Sequence, residues 1–399
     1  MARDPDIARI SQSPADPAFV QDPYRFYAHA LALGPLAIWD DYAMPVTTTH
    51  QAANAILRDR RFGRQVPAEL APDIPDRLAP FQAIEAHSML ELEPPRHTRL
   101  RSLVLRAFTS RRIAAMAPEI AALCARLIGA FPRGAFDLLP AYATPLPVIV
   151  IARLLGVPES MAPQLLAWSN AMVAMYQARR SRQIEDAAVA AAGEFADFMR
   201  GYVERRRTRP GDDLITHLIA AETEGETLST DELIATCILL LNAGHEATVH
   251  SIGNGVKALL EAGCGGPDLV PGRIAGTVEE ILRFDPPLQL FTRYAYEEAE
   301  LFGHRFLRGD QVGCLLGAAG RDPGAYPDPA RFDPQRSGPA QLAFGAGLHF
   351  CVGAPLARLE LQIALPALFA ALPNMRLTEP PVYANLYHFH GLEGLIVTN

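Results

Sequence analysis

The sequence predicts a mainly α-helical fold with a small β region, in one domain. Three observations carry this. Apolar residues recur at three- and four-residue steps through most of the span from Pro95 to Thr378, the spacing of helices with one buried face. Strand-type runs are few and short. No repeat, low-complexity tract or polar linker divides the 399 residues. The domain is expected to span 1–399, with a short N-terminal extension over about residues 1–16.

In chain order, a helix is expected over Pro23–Leu33, strands over Leu36–Trp39 and Met44–Thr49, and a second helix over Gln51–Asp59. Helical spacing then marks His97–Phe108, Arg112–Ala130, Pro145–Leu155, Met161–Ala178, Ile184–Arg207 and Gly211–Glu222. Strand signals return at Glu300–Phe306, Gln311–Leu316 and Leu392–Thr398. One helix is set apart by length. Ser229-Thr230-Asp231-Glu232 is a capping box with acids in the first turn, and glycine stops the pattern at Gly263. At about 1.5 Å per residue such a helix is roughly 50 Å long. Its middle reads Ala243-Gly244-His245-Glu246-Ala247-Thr248. Ala243 and Ala247 share one face, and Gly244 and Thr248 the adjacent one. Small side chains there let a flat group approach the backbone. They serve close helix–helix packing equally well, and the residues alone leave both readings open.

The composition is 49% hydrophobic and 20% charged, with a formal net charge of -8, an ordinary globular balance. An acidic balance excludes a uniformly basic nucleic-acid surface, so no nucleic-acid partner is expected. Ile238-Leu239-Leu240-Leu241 soon meets Asn242, His245 and Glu246, too short and too polar a stretch to cross a bilayer. The first residues lack the apolar run of a signal peptide. A cytoplasmic location without membrane association is expected. The five cysteines are far apart and show neither metal-site spacing nor a disulfide scaffold. Cys124, Cys237 and Cys314 read as small buried hydrophobes, and Cys264 sits in a Gly-rich turn.

The fifth cysteine has a distinct setting. Phe344-Gly345-Ala346-Gly347-Leu348-His349-Phe350-Cys351-Val352-Gly353 is a glycine-rich loop leading into the amphipathic run Ala354-Pro355-Leu356-Ala357-Arg358-Leu359-Glu360. The glycines let the backbone turn tightly beside a flat ligand. Backbone N–H groups and a helix N-terminus favour a thiolate at Cys351. Phe344 and Phe350 supply apolar shielding, which tunes a bound iron.

Phe344 to Gly353 resembles the haem-binding signature of the cytochrome P-450 monooxygenases, Phe-Gly-x-Gly-x-His-x-Cys-x-Gly, at every defined position. The resemblance runs in order from roughly Asp16 to Thr398. It implies the family's fold, with haem buried between a distal and a proximal helix. It implies haem b as cofactor and Cys351 as its metal ligand. Phe344, Gly345, His349 and Gly353 then form the cofactor loop, and Ala243 and Gly244 lie against the other haem face. A thiolate pushes electron density onto iron and favours O–O cleavage.

Other segments are similar to the family's landmarks. Glu280-Ile281-Leu282-Arg283 resembles its Glu-x-x-Arg pair, and Pro329-Ala330-Arg331-Phe332 a later segment. This implies a buried network of Glu280, Arg283 and Arg331 that serves folding and haem retention. His97 and Arg101, four apart on one helix face, are implied partners of a haem propionate, as are Arg293 and His349; cations suit such carboxylates. Arg96, Arg99, Arg106, Arg111, Arg112 and Arg358 would surround the cysteine side, where the family receives an acidic ferredoxin; scattered surface arginines are the alternative. The chain has no flavin fingerprint and no iron–sulfur cysteine cluster, so electrons are expected from a separate ferredoxin and reductase.

On the long helix the usual pattern is Ala/Gly-Gly-x-Asp/Glu-Thr. Here the acid is present as Glu246 and the alcohol is replaced by Ala247. Glu246, Ala247 and Thr248 are the catalytic candidates. Cleaving O2 needs two protons at the far oxygen, which the family's hydroxyl organises and its acid feeds. Ala247 neither donates nor accepts a hydrogen bond. Thr248, ordered water or a substrate hydroxyl fills the gap, or the haem serves another reaction; water or substrate assistance with Glu246 is the expectation. His245 is expected to pack. The pocket is expected to draw on Phe81–Leu90, Trp168–Tyr176, Leu240, Ala243, Ala247, Leu288–Leu290 and Leu386–Phe389, with Gln289 and His388 as polar anchors. It would suit a medium-sized apolar small molecule. The expected reaction is monooxygenation with O2. A biosynthetic oxidase or peroxygenase, and a non-enzymatic haem sensor or carrier, are the alternatives.

Overall fold

The long helix forms where the capping box places it, over Thr230–Glu261. The Ser229 hydroxyl accepts from the Glu232 N–H, and the Glu232 carboxylate accepts from the Ser229 N–H. Helices Pro145–Leu155, Arg182–Thr208, Ile274–Phe284 and Ala354–Ala371 pack around it. Leu233, Ile238, Leu241, Ile252, Val256 and Leu259 bury its apolar faces in the main core. This is a computed structural model that describes residues 7–176, 180–221 and 225–399.

A smaller β region flanks the helices. Its six-stranded sheet runs in the order Arg9–Ile10, Leu36–Trp39, Met44–Thr47, Gln311–Leu315, Leu290–Ala295, Phe62–Gly63. Phe136–Asp137, Arg376–Leu377 and Ile396–Thr398 form a second sheet, and Ala299–Leu301 with His304–Phe306 a two-stranded ribbon. The mainly α fold with small sheets is therefore as the sequence predicts.

The departures have local causes. The expected helix Arg112–Ala130 is two, Ser110–Ala115 and Ala117–Gly129. Pro118 lies in the first turn of the second, where its missing N–H costs nothing. The expected strand Glu300–Phe306 is a hairpin, because Phe302 and Gly303 both take positive φ and turn the chain back. The final strand shortens to Ile396–Thr398. Arg9–Ile10 pairs with Ile38–Trp39, so the expected N-terminal extension already belongs to the sheet there. The Phe81–Leu90 segment expected at the pocket begins inside the helix Ala79–Glu85. The expected helix ends at Ala178 and Glu222 lie outside the described residues.

Among the described residues one helix, Ala354–Ala371, is long and apolar enough to cross a membrane. Here it packs against Ala117–Gly129 and Ile274–Phe284 and carries Arg358 and Glu360, which marks it as a core helix.

The Glu280–Arg283 pair is buried and bidentate, at 2.6 and 2.7 Å. Its third cation is not the expected Arg331. Arg331 is exposed and contributes only its carbonyl, which accepts from Arg283 and Arg336. The side chain that reaches Glu280 is Arg336, at 3.1 Å. The loop places residue 331 with its backbone toward Arg283 and brings residue 336 back inward. Arg336→Ala should therefore leave a buried carboxylate short of charge and cost about 3–5 kcal/mol. Arg331→Ala should stay within about 0.5 kcal/mol. Urea unfolding of the two variants checks the assignment.

Candidate active site

The glycine-rich loop turns back on itself and presents Cys351 at the head of the Ala354–Ala371 helix. Gly345 and Gly347 have φ of 69° and 70°, a conformation L side chains rarely adopt. A Cβ on Gly347 would also lie 2.5 Å from the Leu57 carbonyl oxygen, so this loop seats tightly on the His50–Arg58 helix. The Cys351 N–H donates to the Phe344 carbonyl at 2.9 Å. Burial pushes the thiol up; the Gly353 and Ala354 N–H groups, then Arg101 and Arg358, pull the other way without fully offsetting it. A cation at the sulfur would supply what is missing. Among the described residues no group of three His, Cys, Asp or Glu could hold a bare metal ion. A metal at Cys351 must therefore bring most of its own ligands.

Beside this loop, several donors converge. The His97 and His349 rings lie 4.4 Å apart. Arg101 donates to the Phe350 carbonyl at 2.6 Å, and Arg293 is 2% exposed. Neither arginine has an ion pair among the described residues. His97 Nδ1 is buried without a hydrogen-bond partner. Burial, with His349 and Arg101 nearby, pushes His97 down to about 4, so His97 offers a neutral N–H rather than a charge. His349 is already engaged: its Nε2 lies 2.8 Å from Glu93. Glu93 was not visible from the sequence. Burial raises its carboxyl, but His349 and the Arg64 N–H outweigh burial and hold it below the usual range. The buried lone Nδ1, two buried or half-buried guanidiniums without carboxylates and the turn beside the sulfur fit a flat, dianionic, iron-bearing group. Haem is such a group.

The long helix carries the remaining candidates. Ala243 is exposed although it sits mid-helix, Ala247 and His250 are partly so, and Glu246 lines a cavity. These four positions share one face. Gly244 and Thr248 do not. A Cβ on Gly244 would overlap the side chain of buried Ile151, so this glycine serves helix–helix packing and not the expected cofactor face. Thr248 is 4% exposed, and its hydroxyl donates to the Gly244 carbonyl at 2.9 Å. It therefore cannot replace the hydroxyl missing at Ala247. His245 is buried, with Nδ1–H to the Leu241 carbonyl at 3.0 Å, a packing role as expected. Burial raises the Glu246 carboxyl, but His250 and His245 outweigh burial and hold it low.

The cavity is about 1230 Å³. Phe81, Val173, Leu290 and Phe389 give it apolar walls, and His388 lies among them. Gln289, expected to be an anchor, is fully buried elsewhere: it accepts from the Tyr27 hydroxyl and donates to the Pro286 carbonyl. Charged groups at the wall include Arg64 and Glu91, paired at 2.5 Å, and Glu85. Burial and then Glu91 push Glu85 up to about 7, against a bond from the Tyr176 hydroxyl. Of the arginines expected on the cysteine side, Arg99 is tied to Glu232 and Arg358 to Glu279, while Arg106 and Arg111 are exposed.

Known proteins resemble this chain over most of its length. A family model described as cytochrome P-450 matches residues 274–372. The chain is 36% identical to the cytochrome P-450 monooxygenase PikC of Streptomyces venezuelae, over 91% of this chain and 87% of that protein. It is 41% identical to the 6-deoxyerythronolide B hydroxylase of Saccharopolyspora erythraea, over 73% and 72%. The structure superposes on that of the Bacillus subtilis 168 bacillaene polyketide synthase cytochrome P-450 PksS with a TM-score of 0.87, at 32% identity and 97% and 99% coverage.

Glu360, on the cysteine-bearing helix, is 1% exposed with Oε2 unpartnered, and burial pushes it from 4.5 up to about 8. Between those pH values the unfolded chain ionises this group and the native one does not. Its contribution to stability is therefore full below about 4.5 and lost as pH rises toward 8. Glu360→Gln should remove that loss, with a gain at pH 8 over pH 5 on the order of 2–4 kcal/mol. Urea unfolding of variant and parent at both pH values measures it.

Proposed function

The chain belongs to the cytochrome P-450 family of haem-thiolate oxidoreductases, and we propose that it inserts one oxygen atom from O2 into a medium-sized, largely apolar small molecule. The observation that carries this reading is the Cys351 turn with, among the described residues, the unpartnered His97 Nδ1 and the unpaired Arg101 beside it. Haem b fits, with Cys351 as its iron ligand. Arg101, Arg293 and His97, joined by His349 on release from Glu93, would hold its propionates. The bound haem–thiolate supplies the oxygen activation.

The chain's own residues handle access, position and protons. Phe344 and Phe350 keep water from the sulfur on one side; Phe350 remains 36% exposed. Exposed Arg106 and Arg111 support docking of a separate acidic ferredoxin, in a cytoplasmic setting. On the distal side Ala243 and Ala247 leave room against the helix backbone, and Glu246 is the long helix's acid at the cavity wall. With Ala247 bare and the Thr248 hydroxyl committed to Gly244, ordered water or a hydroxyl of the substrate completes proton delivery from Glu246. The cavity size, and relatives whose names carry 6-deoxyerythronolide B and bacillaene polyketide synthase, support a bulky biosynthetic intermediate as substrate.

The same bare Ala247 favours one second reading, a biosynthetic oxidase or a peroxide-driven reaction. Product analysis with ferredoxin, reductase and NAD(P)H, against hydrogen peroxide alone, separates the two.

The reduced protein with carbon monoxide should show the red-shifted Soret band of thiolate ligation, and Cys351→Ala should lose it; an imidazole-type spectrum in the parent protein overturns the assignment. Ala247→Thr should raise product formed per NAD(P)H several-fold, and an unchanged ratio would reject an incomplete relay.

A further inference from the structure

Resting on the haem-monooxygenase reading above, the distal helix holds a second group suited to proton handling. His250 follows Glu246, which lines the cavity, by one turn on the helix face shared by Ala243, Glu246 and Ala247. Its Nε2 lies 3.5 Å from Glu246 Oε1 and makes no hydrogen bond of its own. The ring is held in this direction from outside the helix. It lies on the bare backbone of Gly391, where a Cβ would overlap it, and its centroid is 5.8 Å from that of Phe389, which lines the cavity. The titratable groups recorded against this pair on its own helix are His245 and Glu246. Phe389 and Gly391, from the facing loop, carry no charge.

We propose that His250 is the second proton-handling residue of this site, keeping Glu246 as the carboxylate between turnovers and returning to it the proton it delivers. The step is a simple transfer: the imidazolium Nε2–H bond breaks, a Glu246 Oε1–H bond forms, and neutral His250 regains a proton from water. An imidazole nitrogen can both donate and accept a proton, which a carboxamide cannot. The depression of the Glu246 carboxyl by His250 and His245 against burial agrees with this arrangement. With no hydroxyl at position 247 to organise water, the charge state of Glu246 carries more of the proton delivery.

The test uses the haem-loaded protein and His250→Gln, which keeps a hydrogen-bonding side chain but cannot titrate. The first readout is infrared: the protonated-carboxyl band of Glu246, identified by its loss in Glu246→Gln, should emerge at higher pH in His250→Gln than in the parent. The second is coupling: product per NAD(P)H should fall about tenfold, a decade below the usual contribution of a positioned acid, with hydrogen peroxide taking up the difference. The thiolate-type carbon monoxide spectrum should persist in both variants. Its absence from the parent would defeat the haem-thiolate reading. Its presence with an unmoved carboxyl band, or with parental coupling from pH 6 to 8.5, would overturn the role of His250 alone.

Discussion

The structure turns on a buried sulfur that must become an anion. Cys351 sits where burial alone favours the neutral thiol, and everything nearby acts against that preference. The loop aims the Gly353 and Ala354 N–H groups at the sulfur, a helix begins beside it, and two guanidiniums stand within electrostatic reach. These donors fall short of offsetting burial, and under the proposed reading a metal cation would complete the balance. The positive-φ glycines and the seat on the His50–Arg58 helix hold the loop in the shape that aims these donors.

The opposite wall obeys a different constraint. A helix of 32 residues buries apolar faces on several neighbours, yet one stripe must stay thin. The stripe is thin because Ala243 and Ala247 share the face of Glu246, while Gly244 faces Ile151 and Thr248 bonds its own helix. The polar atoms of that turn are thus divided: Thr248 and His245 are consumed by the fold, Glu246 lines the cavity, and His250 stands beside Glu246. Ser251 also bonds back, to the Ala247 carbonyl at 2.7 Å, and two such bonds within one turn relax the local helix geometry.

What was legible in the sequence was local. The capping box, the Pro145–Leu155 helix and the cysteine loop are each written in consecutive residues, and each forms within a residue or two of its expected bounds. What was not legible depended on which way a side chain turns after long-range packing. Arg331 and Arg336 are five residues apart in one proline-rich loop, and only the return of that loop onto Glu280 chooses between them. Glu93 is an unremarkable acid before a pair of prolines until His349, 256 residues on, comes to meet it. The small-residue stripe was ambiguous for the same reason: its period identifies two faces but not which one a neighbouring helix covers. His250 did carry a signal, four residues after Glu246, but that spacing is common to any helix surface.

The contact between Gly244 and Ile151 bears on how such a site diversifies. Because the back of the helix is locked against a buried isoleucine, the helix cannot retreat to admit a bulkier residue at 243 or 247, nor advance to fill a smaller pocket. Inherited variation in what this chain accepts is then channelled away from the helix. It falls to the wall segments around Phe81, Val173 and Phe389, which border the cavity and can change shape without disturbing the oxygen side. The rigid part preserves the chemistry, and the tolerant part is where new preferences accumulate.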